Sequence, residues 1–144
     1  MRVGHAGIAL LAKRACPRVP LPLLVVAAYG CDILDVFFGA LHHDNRELSH
    51  SLVSLVLLAS VMAGTYFLVT RRRADAVAVW VTYVLHWPVD FITGIKPTWP
   101  GGPDVGLGLY RYPLQEALLE MLVLAICVAV FLRAPRRPVT TSVT

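Results

Sequence analysis

Long runs of apolar residues, separated by short polar stretches, dominate the hydropathy pattern of this chain. Three of the runs reach the ~20 residues that an α-helix needs to cross a bilayer, and they cover residues 20–41, 51–70 and 114–132. A fourth run, residues 74–95, is equally long but contains ionisable side chains. The pattern therefore predicts an all-α fold, an integral membrane helical bundle with four transmembrane helices.

A shorter apolar run covers residues 3–12 and is too short to cross a bilayer as a helix. Arg2 gives it the basic start of a signal peptide, but Lys13, Arg14 and Arg18 follow where a small-residue cleavage site should lie. We therefore expect a short N-terminal helix that is half-inserted or interfacial.

The composition is typical of a membrane protein. Of 144 residues, 57% are hydrophobic and 15% are charged, and the mean hydropathy is +0.66, which is too apolar for a soluble domain of this length. The chain is also too short for two domains. We expect one membrane-embedded domain over residues 1–133 and a disordered cytoplasmic tail over residues 134–144.

Lysine and arginine are distributed unevenly between the loops. Ten of the 13 lie before the first span, in residues 71–73 or after the last span, whereas the opposite loops hold Arg46, Lys96 and Arg111. The positive-inside rule therefore places both termini in the cytoplasm. No basic patch interleaved with aromatic residues is evident, so no nucleic-acid partner is expected.

The loop over residues 96–113 is rich in glycine, proline and aromatic residues. Such a segment is predicted to be neither helix nor regular strand. Its apolar content favours an interfacial cap that folds back over the helix ends. The alternative is an ordinary loop with aromatic anchors at the membrane surface.

Ionisable side chains recur inside the apolar runs at helical spacing, in the pairs Asp32 and Asp35, His86 and Asp90, and Glu116 and Glu120. Residues three or four apart project from one helix face, so each pair can offer two ligands to one point. An ionisable group inside a membrane is costly and usually lines a cavity, pairs with another group or binds an ion. The spacing therefore predicts a buried site, and a metal is its expected occupant.

Depth brings these groups together. We count about 1.5 Å per residue along each helix from the basic residues at its cytoplasmic end. Four side chains then lie about 18 to 25 Å from that end, namely Asp32, His86, Asp90 and Glu120. His5 reaches about 12 Å and would meet them from below, while His50 would meet them from above. A set of imidazoles and carboxylates suits zinc, with manganese or iron as alternatives, better than calcium.

Structural explanations exist for the same residues. His86 could be a hydrogen-bonding group between packed helices, and Asp32 with Asp35 a packing pair. Glu116 could be stabilised by the dipole of the last helix. His42 and His43 are expected to be solvated loop residues. Pro88 is expected to kink its helix.

Several short motifs resemble a known family, namely Gly4-His5, Asp32-x-x-Asp35, Ser49-His50-Ser51, His86-Trp87-x-x-Asp90 and the WPGGP-x-VGLGLY string of residues 99–110. Together they are similar to the YdjM-like group, small bacterial inner-membrane proteins described by inference as membrane-bound metal-dependent hydrolases. The order of His, Asp and Ser-His-Ser motifs is also distantly similar to that of zinc-dependent phospholipase C and P1 nuclease. The resemblance implies a multi-pass protein of the bacterial inner membrane.

The resemblance further implies a set of metal ligands, namely His5, Asp32 or Asp35, His50, His86 and Asp90. With a divalent metal bound there, the expected activity is hydrolysis of a phosphoester, with a membrane lipid as a candidate substrate. From their location, Asp35 or Glu120 could act as general base. Lys96 or Arg111 could hold an anionic group of the substrate.

Other functions fit the same residues. The acids and histidines could form the relay of an ion- or proton-conducting protein. His50 and His86 could be axial ligands of a haem in a membrane anchor. The chain could also be an inert assembly partner, and the small residues Ala59, Ser60, Ala63 and Gly64 are the nearest candidates for a face that forms a homo-oligomer.

Overall fold

The computed structural model describes residues 3–41 and 46–133. Within these ranges the chain forms eight α-helices: α1 (Gly4–Ala15), α2 (Leu21–Ala28), α3 (Gly30–Ala40), α4 (Arg46–His50), α5 (Leu52–Thr70), α6 (Arg73–Val84), α7 (His86–Thr93) and α8 (Pro113–Arg133). The loop histidines His42 and His43 and the predicted tail, residues 134–144, lie outside the described residues.

Three helices of the described residues are long and apolar enough to cross a membrane, and a bent pair makes a fourth candidate. Three are the single stretches Leu52–Thr70, Arg73–Thr93 and Pro113–Arg133. The fourth is the pair α2 and α3, which pass the same test together but are bent by 63°. The predicted all-α membrane bundle is confirmed, with three to four candidate spans.

The bend between α2 and α3 was not predicted, because the chain has no proline at this point. Tyr29 adopts φ −105° and ψ 9°, outside the helical range. Gly30 lies against the ring of Tyr83, and a Cβ atom at Gly30 would be 2.3 Å from Tyr83 Cε2. Close packing of Gly30 against Tyr83 of α6 therefore accompanies the bend. The bend in turn sets the direction of α3.

Within the third span, α6 ends and α7 begins at Leu85, which keeps helical dihedral angles and a bond of 2.9 Å from its N to Val81 O. Pro88 lacks the N–H that would donate to the carbonyl of Val84, and its ring crowds that carbonyl. The proline thus accounts for the boundary between α6 and α7 one turn before it, and the kink itself stays a prediction. This boundary places His86 at the first position of α7.

Helix α1 packs inside the bundle against α2, α6 and α8. Its buried face carries Gly4, His5, Gly7 and Ala9. Gly7 allows the close approach of α8, since a Cβ atom there would lie 2.8 Å from Cys127 Sγ. The predicted short N-terminal helix is present, and its buried face carries His5 into the interior.

The glycine- and proline-rich loop contains a small sheet. Strand β1 (Lys96–Pro97) pairs antiparallel with β2 (Asp104–Val105), and a 3-10 helix follows over Leu109–Arg111. The prediction of no regular strand is therefore wrong at this place. The reason is a tight turn, closed by a bond of 2.8 Å from Gly102 N to Trp99 O, that brings the two short strands side by side.

Backbone hydrogen bonds hold this loop over the helix ends, as predicted. Leu52 N, at the start of α5, donates to Thr98 O at 3.0 Å, and Leu107 N donates to Phe91 O of α7 at 2.8 Å. Gly101 N donates to the carboxylate of Glu47 on α4 at 3.1 Å. The loop therefore fixes α4, α5 and α7 relative to one another at the end of the bundle that carries His50.

Candidate metal centre

Four predicted ligands meet at one point. Each of Asp32, His50, His86 and Asp90 offers one ligand atom, and these four atoms lie within 4.8 Å of one another. The residues come from α3, α4 and α7, and three of the four side chains are buried. We refer to them as the four-residue cluster.

In the four-residue cluster, both imidazoles face both carboxylates. His86 Nε2 lies 3.3 Å from Asp90 Oδ2 and 3.8 Å from Asp32 Oδ1. His50 Nε2 lies 3.4 Å from Asp32 Oδ1 and 3.8 Å from Asp90 Oδ2. The two Nε2 atoms and two carboxylate oxygens therefore surround a common space.

The orientation of His86 is set from outside the cluster. Its Nδ1 lies 2.9 Å from the backbone carbonyl oxygen of Ala28, and a carbonyl only accepts hydrogen bonds, so Nδ1 carries the hydrogen. In the neutral ring, Nε2 then keeps its lone pair. This buried atom has no hydrogen-bond partner among the residues described, and it is directed at the carboxylates.

A serine sets the orientation of His50 in the same way. Ser49 Oγ donates to Asp35 Oδ1 at 3.0 Å and lies 2.8 Å from His50 Nδ1. Because a hydroxyl has a single hydrogen and Ser49 uses it on Asp35, the Ser49 oxygen accepts from His50 Nδ1–H. His50 Nε2 faces the carboxylates, 3.4 Å from Asp32 Oδ1, and it offers a lone pair to a metal in the tautomer that donates from Nδ1 to Ser49 Oγ.

This arrangement fits a metal cation. A lone pair on nitrogen and a carboxylate oxygen repel each other at 3.3 to 3.4 Å unless a proton or a metal ion lies between them. Two carboxylates and two neutral imidazoles carry two negative charges, which a divalent ion would offset. Histidine ligands whose other nitrogen is held by a carbonyl or by a serine–carboxylate pair are typical of metal sites.

His5 borders the cluster without belonging to it. Its Nε2 lies 3.6 Å from Asp90 Oδ1, and its ring is stacked near that of His86, with centroids 4.1 Å apart. The ring is fully buried, and neither nitrogen has a hydrogen-bond partner in the described ranges. The sequence-based expectation that His5 approaches the other ligands is met in space, while its role as a ligand stays a prediction.

An open pocket of about 640 Å³ adjoins the cluster. Its polar lining includes Asp32, Asp35, Asp90, Lys96 and Glu116. The Lys96 ammonium lies at its edge, with Nζ 2.7 Å from Asp90 Oδ2. The pocket therefore offers access to the cluster beside a single ammonium group.

The remaining predicted site residues lie apart from the four-residue cluster. Glu120 is buried and accepts a hydrogen bond of 2.7 Å from Val3 N at the start of α1. Arg111 is exposed at the end of the 3-10 helix and does not line the pocket. Asp35 lines the pocket and its Oδ1 lies 3.9 Å from His50 Nδ1, with Ser49 Oγ in contact with both side chains. Their roles as base or substrate ligand stay predictions.

Two groups that position the histidines were missed by sequence reasoning. Ser49 could have been found, because it precedes His50 directly in the Ser-His-Ser motif. The carbonyl of Ala28 could not, since every residue has a carbonyl and only the bend of the first span brings this one to His86.

A family model described as YdjM inner membrane protein matches residues 1–143. Neither the curated proteins nor the solved structures contain a match to this chain.

Proposed function

The chain belongs to the YdjM inner membrane protein family, and from that premise we propose that it is a membrane-bound, divalent-metal-dependent hydrolase of phosphoesters. The observation that carries this proposal is the convergence of His50 Nε2 and His86 Nε2 on the carboxylates of Asp32 and Asp90. Zinc suits this set of two nitrogen and two oxygen ligands, and manganese or iron are alternatives.

A bound divalent ion would lower the pKa of water and polarise the phosphoryl oxygen. In hydrolysis, a water oxygen bonds to phosphorus, the P–O ester bond breaks, and the alcohol leaves with a proton. Asp35 is the better placed of the two predicted bases, because it lines the pocket and its side chain is 39% exposed. Lys96 would hold a phosphate oxygen at the mouth of the pocket.

The same charge distribution that predicts cytoplasmic termini supports an orientation for the site. Lys96 follows the end of α7, on the side of the membrane with fewer basic residues. In this orientation the pocket opens toward the outer side of the inner membrane. A substrate would therefore enter from that side.

A proton or ion relay is the second candidate, and the structure supports it less. A relay needs polar groups on both sides of the cluster. His5 borders the cluster with its Nε2 3.6 Å from Asp90 Oδ1. Between Asp75 and His86, however, the buried face of α6 carries Ala76, Val79, Thr82 and Tyr83, which provide two hydroxyls and neither an imidazole nor a carboxylate. The haem alternative is also less supported, since the His50 and His86 rings are only 5.4 Å apart and face carboxylates instead of a macrocycle.

Elemental analysis tests the proposal. Wild-type protein loaded with Zn²⁺ in detergent and freed of excess metal should retain about one ion per chain. His86→Ala should retain less than about a tenth of that. Thr82→Val is the matched control, because Thr82 is equally buried one turn earlier and its hydroxyl only bonds Ala78 O at 2.7 Å.

Activity is measured with bis(p-nitrophenyl) phosphate, a soluble phosphodiester. Chelation should abolish hydrolysis and Zn²⁺ or Mn²⁺ should restore it, in wild type and Thr82→Val but not in His86→Ala. Wild-type protein that holds no stoichiometric metal would contradict the proposal at its first step. Metal-independent liposomal proton uptake that is lost in Asp90→Asn would favour the relay.

A further inference from the structure

A second cavity adjoins the pocket beside the four-residue cluster. It measures about 590 Å³ and lies between the start of α1 and the first turns of α8. The two cavities share Tyr110 and Glu116 in their linings. A molecule that occupies both would therefore pass between these two side chains.

The two cavities differ in chemistry. The second one is mostly apolar, with side chains from Val3, Pro113, Ala117 and Met121, and its acidic members are Glu116 and Glu120. Pro113, Ala117 and Met121 follow one another at intervals of four along α8, so they share one face of the helix. The side chain of Ala117 is smaller than its neighbours on this face, and the recess is the space that it leaves unfilled.

The recess is continuous with the outer surface of α8. The side chains of Leu114, Leu118 and Met121 are 69%, 62% and 58% exposed in the part of the chain that the structure describes. A membrane-spanning helix presents such residues to lipid tails. An alkyl chain can therefore move sideways from the bilayer into the recess without crossing water.

We propose that the substrate is a phospholipid, whose acyl chain lies in the recess of Val3, Pro113, Ala117 and Met121 while its phosphoester enters the pocket beside Lys96. The inference rests on the proposed hydrolase function and names its substrate class. A soluble phosphodiester fills the polar pocket alone and leaves the apolar recess exposed. An acyl chain that enters from the bilayer leaves no water behind, so the recess positions the phosphoester and adds little to the affinity.

Filling the recess tests the proposal. Ala117→Trp should lower hydrolysis of a long-chain phosphatidylglycerol at least about tenfold more than it lowers hydrolysis of bis(p-nitrophenyl) phosphate. Leu118→Trp is the matched control, since it places the same ring on the neighbouring lipid-facing side of α8. It should change neither rate. Loss of both activities in Ala117→Trp, or of neither, would overturn the proposal.

A binding measurement separates this proposal from the hydrolase itself. Phosphatidylglycerol with a diazirine in its acyl chain should photolabel wild-type α8 at Ala117 or Met121, and the labelling should be lost in Ala117→Trp but kept in Leu118→Trp. If wild type hydrolyses neither probe and still shows this labelling, the hydrolase fails and the lipid site stands. Equal labelling around α8 would overturn the lipid site.

The oligomeric state of the purified protein tests whether the recess binds a second copy of the chain instead of a lipid. If Ala117→Trp changes a dimer of the purified protein into a monomer, the recess is an interface between two copies and the proposal is wrong. An unchanged molar mass by light scattering, together with lost photolabelling, supports the lipid.

Discussion

His86 Nδ1 donates a hydrogen bond of 2.9 Å to the carbonyl oxygen of Ala28, 58 residues earlier in the chain. Ala28 is the last residue of α2, where helix carbonyls lack an intrahelical partner. The bend of the first span therefore supplies the group that fixes one ligand, and α3, which begins after the bend, carries Asp32. Fold and site are joined at this point.

Substitution at the bend should damage both stability and the site. Gly30→Ala places a Cβ atom 2.3 Å from Tyr83 Cε2, and such overpacking costs about 1 to 3 kcal/mol. Gly39→Ala is the control on the same helix, because nothing lies within 4 Å of the added atom. We expect a lower melting temperature and weaker Zn²⁺ binding for Gly30→Ala alone, measured in detergent. Equal effects of both variants would contradict the importance of the bend.

The serines on either side of His50 should separate metal binding from stability. Ser49→Ala removes the hydroxyl between Asp35 and His50, and loss of such a supporting group lowers metal affinity about 10- to 100-fold. Ser51→Ala removes the N-cap of α5, where Ser51 Oγ accepts from Ser54 N, and costs about 1 kcal/mol of stability.

Both serines are fully buried, which makes the pair a matched one. Competition of the protein with a zinc-binding dye gives the affinity, and thermal unfolding of the metal-free protein gives the stability. Weaker zinc binding in Ser51→Ala than in Ser49→Ala would contradict the proposed role of Ser49.

The two aspartates of α3 should differ in their effects. Asp32→Asn removes a charge from the four-residue cluster and should lower Zn²⁺ affinity more than about 100-fold. Asp35→Asn leaves the cluster intact but changes the support of His50 and removes the proposed base. It should lower affinity about tenfold and, at saturating Zn²⁺, still lower kcat about 100-fold. Full kcat for Asp35→Asn at saturating metal would exclude Asp35 as the base.

Hydropathy alone predicted the four spans, because length and apolar content decide whether a helix can cross a bilayer. It did not predict the bend at Tyr29, which depends on contact between Gly30 and Tyr83 from distant parts of the chain. The two-stranded sheet of β1 and β2 was missed for a similar reason, since each strand has only two residues.

Helical spacing predicted three members of the four-residue cluster, Asp32, His86 and Asp90, because residues one turn apart share a face, while His50 was predicted from its position above them and from the family resemblance. The spacing gave no information on which acids reach the centre. Asp32 reaches it, whereas Ser49 lies between Asp35 and His50. Glu120 has the expected depth but bonds Val3 N. Depth and spacing predict how deep in the bundle a side chain lies. Packing between the helices decides which side chains touch at that depth.

Removal of Lys96 should change metal binding and hydrolysis in opposite directions. Its Nζ lies 2.7 Å from Asp90 Oδ2, so the ammonium competes with a metal ion for that carboxylate and repels it. Lys96→Met should therefore raise Zn²⁺ affinity about tenfold or more, given the energies of unit charges at a few ångströms in a protein. It should also raise KM for a phosphodiester about tenfold, because a charged hydrogen bond to the substrate is lost.

Arg111→Met is the control for Lys96→Met, since Arg111 is exposed and lies outside the lining of the pocket, and it should leave both quantities unchanged. Zinc affinity from dye competition and KM from initial rates give the two measurements. If Lys96 had a purely structural role, Lys96→Met would weaken zinc binding and catalysis together. A parallel loss of both would therefore contradict the proposed role of Lys96 beside the metal and the substrate. An effect of Arg111→Met on KM alone would assign the substrate's anionic group to Arg111 instead.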